Sequence, residues 1–429
     1  MSIWWCFNGL VLSDSGEFLP RGTVIGIGCC IWAFFTAGFA CVSSLKLGIA
    51  LCAMNGLGLA LVIPSVQSLT ADLFARDQRG KAFGSLWLVI SLGGMIGALY
   101  ATNVGAYAPL GIEGWRFVFL SVSLVSACAG VLNHLHVKDV AFDAKASSSA
   151  DSAPRHSQSA SQNITMGKIK SIVSQIGDVM KIPTFSLIIL QGIVGSVPYS
   201  SLVFLTLYLQ LLGMSDSASS VIVALYLIGG GFGGLLGGWI GDKVASRFPN
   251  HGRIIATQFS VFIGIPFSFI IFKVLPGGSS MMVVILYAVV ISLFAVLTAW
   301  AAPCANNPIF AEIVPPAQRN LVYSFDRCFE GAVAAFATPL VGFMSERFFG
   351  FTGTSKVSGD PKIDIPNAHA LGSALVAFTT IPWLFCFLVY GSLHWTYPRD
   401  KQKVRHNDSV VYKKISLVPS SESQINELQ

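Results

Sequence analysis

Charge is the scarcest feature of this chain. Asp, Glu, Lys and Arg make up 11% of its 429 residues against 53% hydrophobic ones, and the mean hydropathy is +0.66. A soluble domain carries roughly 25% charged residues, so an ordinary water-soluble fold is excluded. Paired metal-ligand spacings are missing too. Cys29, Cys30, Cys41, Cys52, Cys128, Cys304, Cys328 and Cys386 lie inside apolar stretches, where free thiols are expected. The seven His (His134, His136, His156, His251, His369, His394 and His406) fall in loops or near the ends of apolar runs, with no His-box or Asp-rich cluster. That pattern argues against a membrane enzyme; no catalytic residue, metal or cofactor is expected. The opening 1–12 is apolar but short, and it lacks a basic start and a small-residue cleavage site, so it does not read as a signal peptide.

What the chain has instead is long apolar runs. A span needs about 20 apolar residues to cross a hydrocarbon core of about 30 Å, and about ten runs qualify. They lie near 23–43, 46–70, 82–106, 115–135, 185–209, 218–240, 254–274, 281–310, 321–345 and 371–393. The 42 Gly and 31 Phe suit packed membrane helices, where small residues let backbones approach. With the amino terminus inside, most of the 27 Lys and Arg fall in cytoplasmic segments, among them Arg76, Arg79, Lys81, Lys243, Arg247 and Arg253. The net charge of +6 therefore reads as topology and asks for no nucleic acid.

A duplication organises the spans. Residues 71–80, Ala-Asp-Leu-Phe-Ala-Arg-Asp-Gln-Arg-Gly, recur as 311–320, Ala-Glu-Ile-Val-Pro-Pro-Ala-Gln-Arg-Asn, and each copy closes one span and opens the next. Asp72 and Arg79 in the first copy match Glu312 and Arg319 in the second, which implies one structural task performed twice. The expected plan is an all-α membrane bundle of about ten transmembrane helices with pseudo-two-fold related halves. A first half of four spans occupies 1–137, a Ser-rich cytoplasmic linker 138–184, a second half of six spans 185–395, and a cytoplasmic tail 396–429. Within the linker, 164–182 places apolar residues at helical spacing beside Lys168, Lys170 and Lys181, as an amphipathic helix on the inner membrane face would. The repeat offset pairs the second and third spans with the eighth and ninth, so the counterparts of the fifth and sixth would lie before Met1. A truncated product or an amino-terminally incomplete gene is the simplest account, and such a chain is expected to transport poorly or not at all.

Gly238-Trp239-Ile240-Gly241-Asp242-Lys243, followed by Arg253, resembles the major facilitator superfamily signature between the second and third helices of a half, Gly-x-x-x-Asp-Arg, with Lys243 in place of the first Arg. Asn55 to Pro64, Asp77 to Gly84 and Tyr323 to Glu330 are similar to plant and Spinster-like members, and the resemblance covers about 20–397. It implies transport of a small organic solute by alternating access. The Arg usually found in the fourth helix four residues before its Gly-x-Gly is Cys52 here. The Gly-Pro antiporter pattern of the fifth helix is absent around Gly93, Gly94 and Gly97, so a facilitator or symporter fits better than a drug and proton antiporter. The Gly229 to Gly241 run contains Gly-x-Gly-x-x-Gly, but no strand surrounds it. The spacings Gly230 with Gly234 and Gly234 with Gly238 read as helix-packing faces.

The resemblance assigns Asp242 to an inner gate, docked on the cytoplasmic start of the third span, where unpaired N–H groups and the positive dipole end favour a carboxylate. Lys243, Arg253, Asp72, Arg79, Glu312 and Arg319 are gate candidates beside it. Asp326 and Glu330 stand four residues apart on the ninth span with Arg327 between them. They are candidates for a proton-coupling site, or for a gate network with Arg319, about 10 Å away along the helix. Polar residues on the helices that line a central cavity in the family are candidates for touching solute: Asn55 and Gln67, then Gln191, Tyr199 and Ser200, then Asn306 and Asn307. The alternative for each is a hydrogen bond between helices. The partners expected are the lipid bilayer, a small-molecule solute and a coupling proton. The competing reading of the whole chain is a truncated, non-transporting isoform that associates with full-length transporters. Neither reading names an organelle.

Overall fold

In a computed structural model, the structure describes residues 19–105, 107–137, 139, 177–352 and 357–416. Among these, ten helices are long and apolar enough to cross a membrane. They are α1 (Arg21–Cys41), α2 (Leu45–Leu73), α3 (Arg79–Gly105), α4 (Gly114–His136), α5 (Pro183–Leu211), α6 (Asp216–Arg247), α7 (Gly252–Val274), α8 (Met281–Ile313), α9 (Arg319–Phe349) and α10 (Pro361–Ser416). The fold is all-helical, as the hydropathy implies.

Local chemistry sets the helix ends. Pro183 opens α5 and Pro361 opens α10, at positions where the missing N–H is no loss. Ser215 caps α6 by accepting from the Ala218 N–H at 3.3 Å, and Ser280 caps α8 through Val283 at 3.4 Å. Gly350 ends α9 with φ 76°, a left-handed conformation that costs glycine nothing. Prolines and local rewinding interrupt the long spans: α5 passes through a 3₁₀ turn at Leu202–Phe204, just after Pro198, and α8 through a π-helical stretch at Ala301–Asn306.

Two helix runs are longer than the apolar stretches suggest. α6 continues to Arg247, so Asp242 lies inside a helix rather than in the loop after it. α10 runs well past 393, so the stretch expected as a tail begins inside a helix, where Tyr397, Asp400 and Lys401 are buried. Hydropathy marks where lipid is, whereas the helix persists until its hydrogen bonding is broken. The amphipathic stretch expected over 164–182 lies outside the described residues up to 176. Cys29, Cys30, Cys41, Cys52, Cys128, Cys304 and Cys386 are free thiols, whereas Cys328 is disulfide-bonded, against the expectation from its apolar setting.

α1 packs on α2 and α4 in the first half; α5 packs on α9 and α10, and α6 on α8, in the second. The halves meet along two seams, α3 against α6 and α2 against α9. Glycine makes the first seam possible. A Cβ on Gly80 would strike the Gly238 carbonyl and the reverse also holds, and one on Gly84 would lie 2.6 Å from the Gly234 carbonyl oxygen. On another side of α6, Gly233, Gly237 and Gly241 meet Val296, Trp300 and Cys304 of α8. The expected Gly234 and Gly238 contacts are therefore present, while Gly230 faces open space. The largest buried apolar cluster belongs almost wholly to the second half, with Tyr208, Tyr287, Phe294, Phe310, Tyr323 and Tyr390 in it; the first half contributes Ala71 and Phe83.

Candidate functional site

The ends of α2, α4, α6 and α8 and the starts of α1, α3, α7 and α9 gather at one face, the Lys- and Arg-rich end expected from the charge bias to lie inside. Asp242 binds across the first seam there. Its Oδ1 accepts from the Gly80 N–H at 2.9 Å and its Oδ2 from the Lys81 N–H at 2.7 Å. Those N–H groups are among the first of α3 and have no partner within their own helix. Arg253, at the start of α7, donates to Asp242 Oδ1 at 2.7 Å and to the Arg76 and Cys304 carbonyls at 2.9 and 3.1 Å. A buried carboxylate thus holds a helix start of the other half, and a buried guanidinium holds the carboxylate. Lys243 takes no part in this contact: one residue on, it projects from another side of α6 and lies over the Trp239 ring at 5.0 Å.

The repeated acids close around this contact differently in the two halves. Asp72 pairs across the second seam with Arg319, and within its own half with Arg21 at 2.6 Å. Arg21 in turn donates from Nε and its second guanidinium nitrogen to Asp139, at 2.8 and 2.7 Å. Glu312, the repeat counterpart of Asp72, stays within its half, with Lys401 at 2.6 Å, the Tyr397 hydroxyl at 2.8 Å and Arg253 at 3.7 Å. Arg79 finds no carboxylate among the described residues and donates instead to the Ala71 carbonyl at 2.9 Å and, across the seam, to Ala311 at 3.5 Å. Arg319 also donates to Ala311, at 2.9 Å. Both arginines thus satisfy carbonyls in the last turns of α2 and α8, where a cation complements the helix dipole. Sequence reasoning missed Arg21, Asp139, Tyr397 and Lys401. Arg21 and Arg253 occupy equivalent places at the starts of α1 and α7, but unequal loops put them off the repeat offset, which hid the correspondence.

Deeper in α9, Arg327 bridges the two acids, 3.1 Å from Asp326 Oδ2 and 2.9 Å from Glu330 Oε2. Arg319 stays with Asp72 and does not join them, so the network expected to include it divides in two. Asp326 is fully buried and its Oδ1 has no partner. Glu330 lies against α5: a Cβ on Gly192 would be 2.7 Å from Glu330 Oε1.

The polar candidates for solute contact separate by what they already bind. Gln191, Asn306 and the Tyr390 hydroxyl form a closed buried triangle linking α5, α8 and α10, with contacts of 2.7 to 3.0 Å. Asn55 donates to Trp32 and Thr36 of α1. Tyr199 donates to the Thr298 carbonyl at 2.7 Å, just before the π-helical stretch of α8, and Ser200 donates to its own helix. Five of the seven are therefore engaged between or within helices. Gln67 Oε1 and Asn307 Oδ1 are buried acceptors without a partner. These two residues are repeat equivalents, at the same offset as Asp72 and Glu312.

The sequence profile of the Major Facilitator Superfamily matches residues 11–338. No curated protein matches the chain. Among solved structures, a bacterial homologue of the human lysosomal transporter Spinster, in an inward-facing unoccupied conformation, is similar at 19% identity and a TM-score of 0.58, covering 93% of this chain and 88% of that one. A proton:xylose symporter is similar at 14% identity and a TM-score of 0.56 over 90% and 84%. The E. coli fucose:proton symporter gives 13% and 0.55 over 90% and 89%. At such identities the likeness speaks for the fold.

Proposed function

The chain belongs to the major facilitator superfamily, an integral multi-pass membrane transporter family and not an enzyme family, and we propose that it moves a small organic solute by alternating access, with the contacts at the inner face acting as its closed gate. The observation that carries this reading is the docking of Asp242 on the first N–H groups of α3. A carboxylate at a helix start is stabilising only while the two elements touch, so the contact favours one arrangement of the halves over the other. The Asp72 and Arg319 pair latches the second seam in the same way.

The solute site in this reading lies above the gate, with the free acceptors of Gln67 and Asn307 facing it from the two halves. Asp326, Arg327 and Glu330 form the coupling site. Two carboxylates against one guanidinium leave a unit of negative charge in a buried place, which a proton neutralises at least cost. The test is solute uptake by the purified chain in liposomes, with and without a pH gradient, over a panel of sugars, amino acids and amphiphilic organic solutes. Saturable uptake that falls in Asp242→Asn at matched protein abundance supports the gate. Uptake unchanged by that substitution refutes it, and uptake indifferent to both the gradient and Glu330→Gln refutes the coupling role.

A further inference from the structure

On the membrane-facing side of the α3 and α6 seam, a groove of about 470 Å³ is lined by Lys81, Phe232, Leu235, Leu236, Trp239 and Val296. Its floor is apolar, with Phe232, Leu236 and Trp239 exposed over about 10 Å of α6. Its inner mouth is basic. Lys81 enters from one half, and Lys243, over the Trp239 ring, from the other. Their backbones are neighbours, because the Lys81 N–H is 2.7 Å from an oxygen of Asp242, the residue before Lys243. That carboxylate is engaged by two N–H groups and Arg253, and among the described residues neither lysine ammonium forms an ion pair. Two cations without counter-charge therefore stand at the inner end of an apolar groove, at the level of the anionic cytoplasmic leaflet.

A soluble anion would match the lysines and leave Phe232, Leu236 and Trp239 uncovered. A neutral lipid would cover the groove and leave the charge unmet. We infer that the groove binds an inner-leaflet phospholipid with an anionic headgroup, its phosphate held by Lys81 and Lys243 and an acyl chain lying along Trp239, Leu236 and Phe232. One such lipid touches both halves at the seam that Asp242 bridges, so it favours the arrangement in which α3 and α6 are in contact. This consequence rests on the gate reading; the binding site itself does not.

Native mass spectrometry of the purified chain, released from discs of equal phosphatidylglycerol and phosphatidylcholine, tests the binding. Wild type should retain phosphatidylglycerol selectively. About fivefold should be lost per lysine removed, so Lys81→Gln with Lys243→Gln should lose more than tenfold. Leu236→Trp, which keeps both charges and fills the groove, should lose the lipid as well. Equal retention in either folded variant overturns the site, as does retention of soluble glycerol 3-phosphate as tight as that of the lipid. If binding holds but phosphatidylglycerol does not slow labelling of a cysteine placed behind the gate, the link to the gate fails and the site stands.

Discussion

Asp242→Asn should shift the chain toward an open inner face by about 30-fold while leaving it folded. The carboxylate accepts from two N–H groups at the start of α3 and from Arg253. Asn keeps the size and one acceptor oxygen but loses the charge that the helix start and the guanidinium stabilise. A charge at a helix start contributes about 0.3–2 kcal/mol, toward the upper end where partly buried. The lost ion pair would add more, but Arg253 keeps the Cys304 and Arg76 carbonyls and lies 3.7 Å from Glu312, so much of its burial stays compensated. About 2 kcal/mol is a reasonable sum, and at 1.4 kcal/mol per tenfold this is about 30-fold in the equilibrium between closed and open arrangements. The assay is the rate at which Gln67→Cys, on α2 behind the gate, reacts with an impermeant maleimide in inside-out vesicles, corrected for labelling of the chain without that cysteine. A rate within twofold of the parent, at equal abundance and melting temperature, would refute the reasoning.

Three further outcomes follow from the same geometry. Gly238→Ala places a Cβ against the Gly80 carbonyl and should lower the melting temperature in detergent, a cost of about 1–3 kcal/mol, whereas Gly230→Ala, in open space, should leave it unchanged; equal melting of the two would contradict the close seam. Asp72→Ala and Arg319→Ala should be non-additive in a thermal double-mutant cycle by about 0.5–3 kcal/mol, with the Asp72 change the more damaging because it also releases Arg21; simple additivity would deny the cross-seam pair. Tyr390→Phe removes the hydroxyl shared by Gln191 and Asn306 and should destabilise by about 1 kcal/mol, and a rise in melting temperature would show that this buried triangle does not hold α5, α8 and α10 together.

The number of spans and their approximate limits were legible in the sequence because transfer into lipid is close to a sum over residues, read locally along the chain. The repeat marked Asp72, Arg79, Glu312 and Arg319 as equivalent, and the Gly-rich run marked α6 as a packing helix. Apart from Asp242 at the start of α3, a contact expected from the family resemblance, which groups meet was not legible. Asp72 and Arg319 are 247 positions apart and Arg21 and Asp139 are 118 apart, and their pairing depends on which helices become neighbours and how each is rotated about its axis. A step of one residue turns a helix by about 100°, enough to separate Asp242, inside the seam, from Lys243, exposed over the Trp239 ring. The same rotation decided that Asn55, Gln191, Tyr199, Ser200 and Asn306 bind protein groups while Gln67 and Asn307 keep free acceptors. Hydropathy fixes the depth of a residue in the membrane. Only packing sets the direction its side chain faces, and with it which of the equivalent acids reach across a seam.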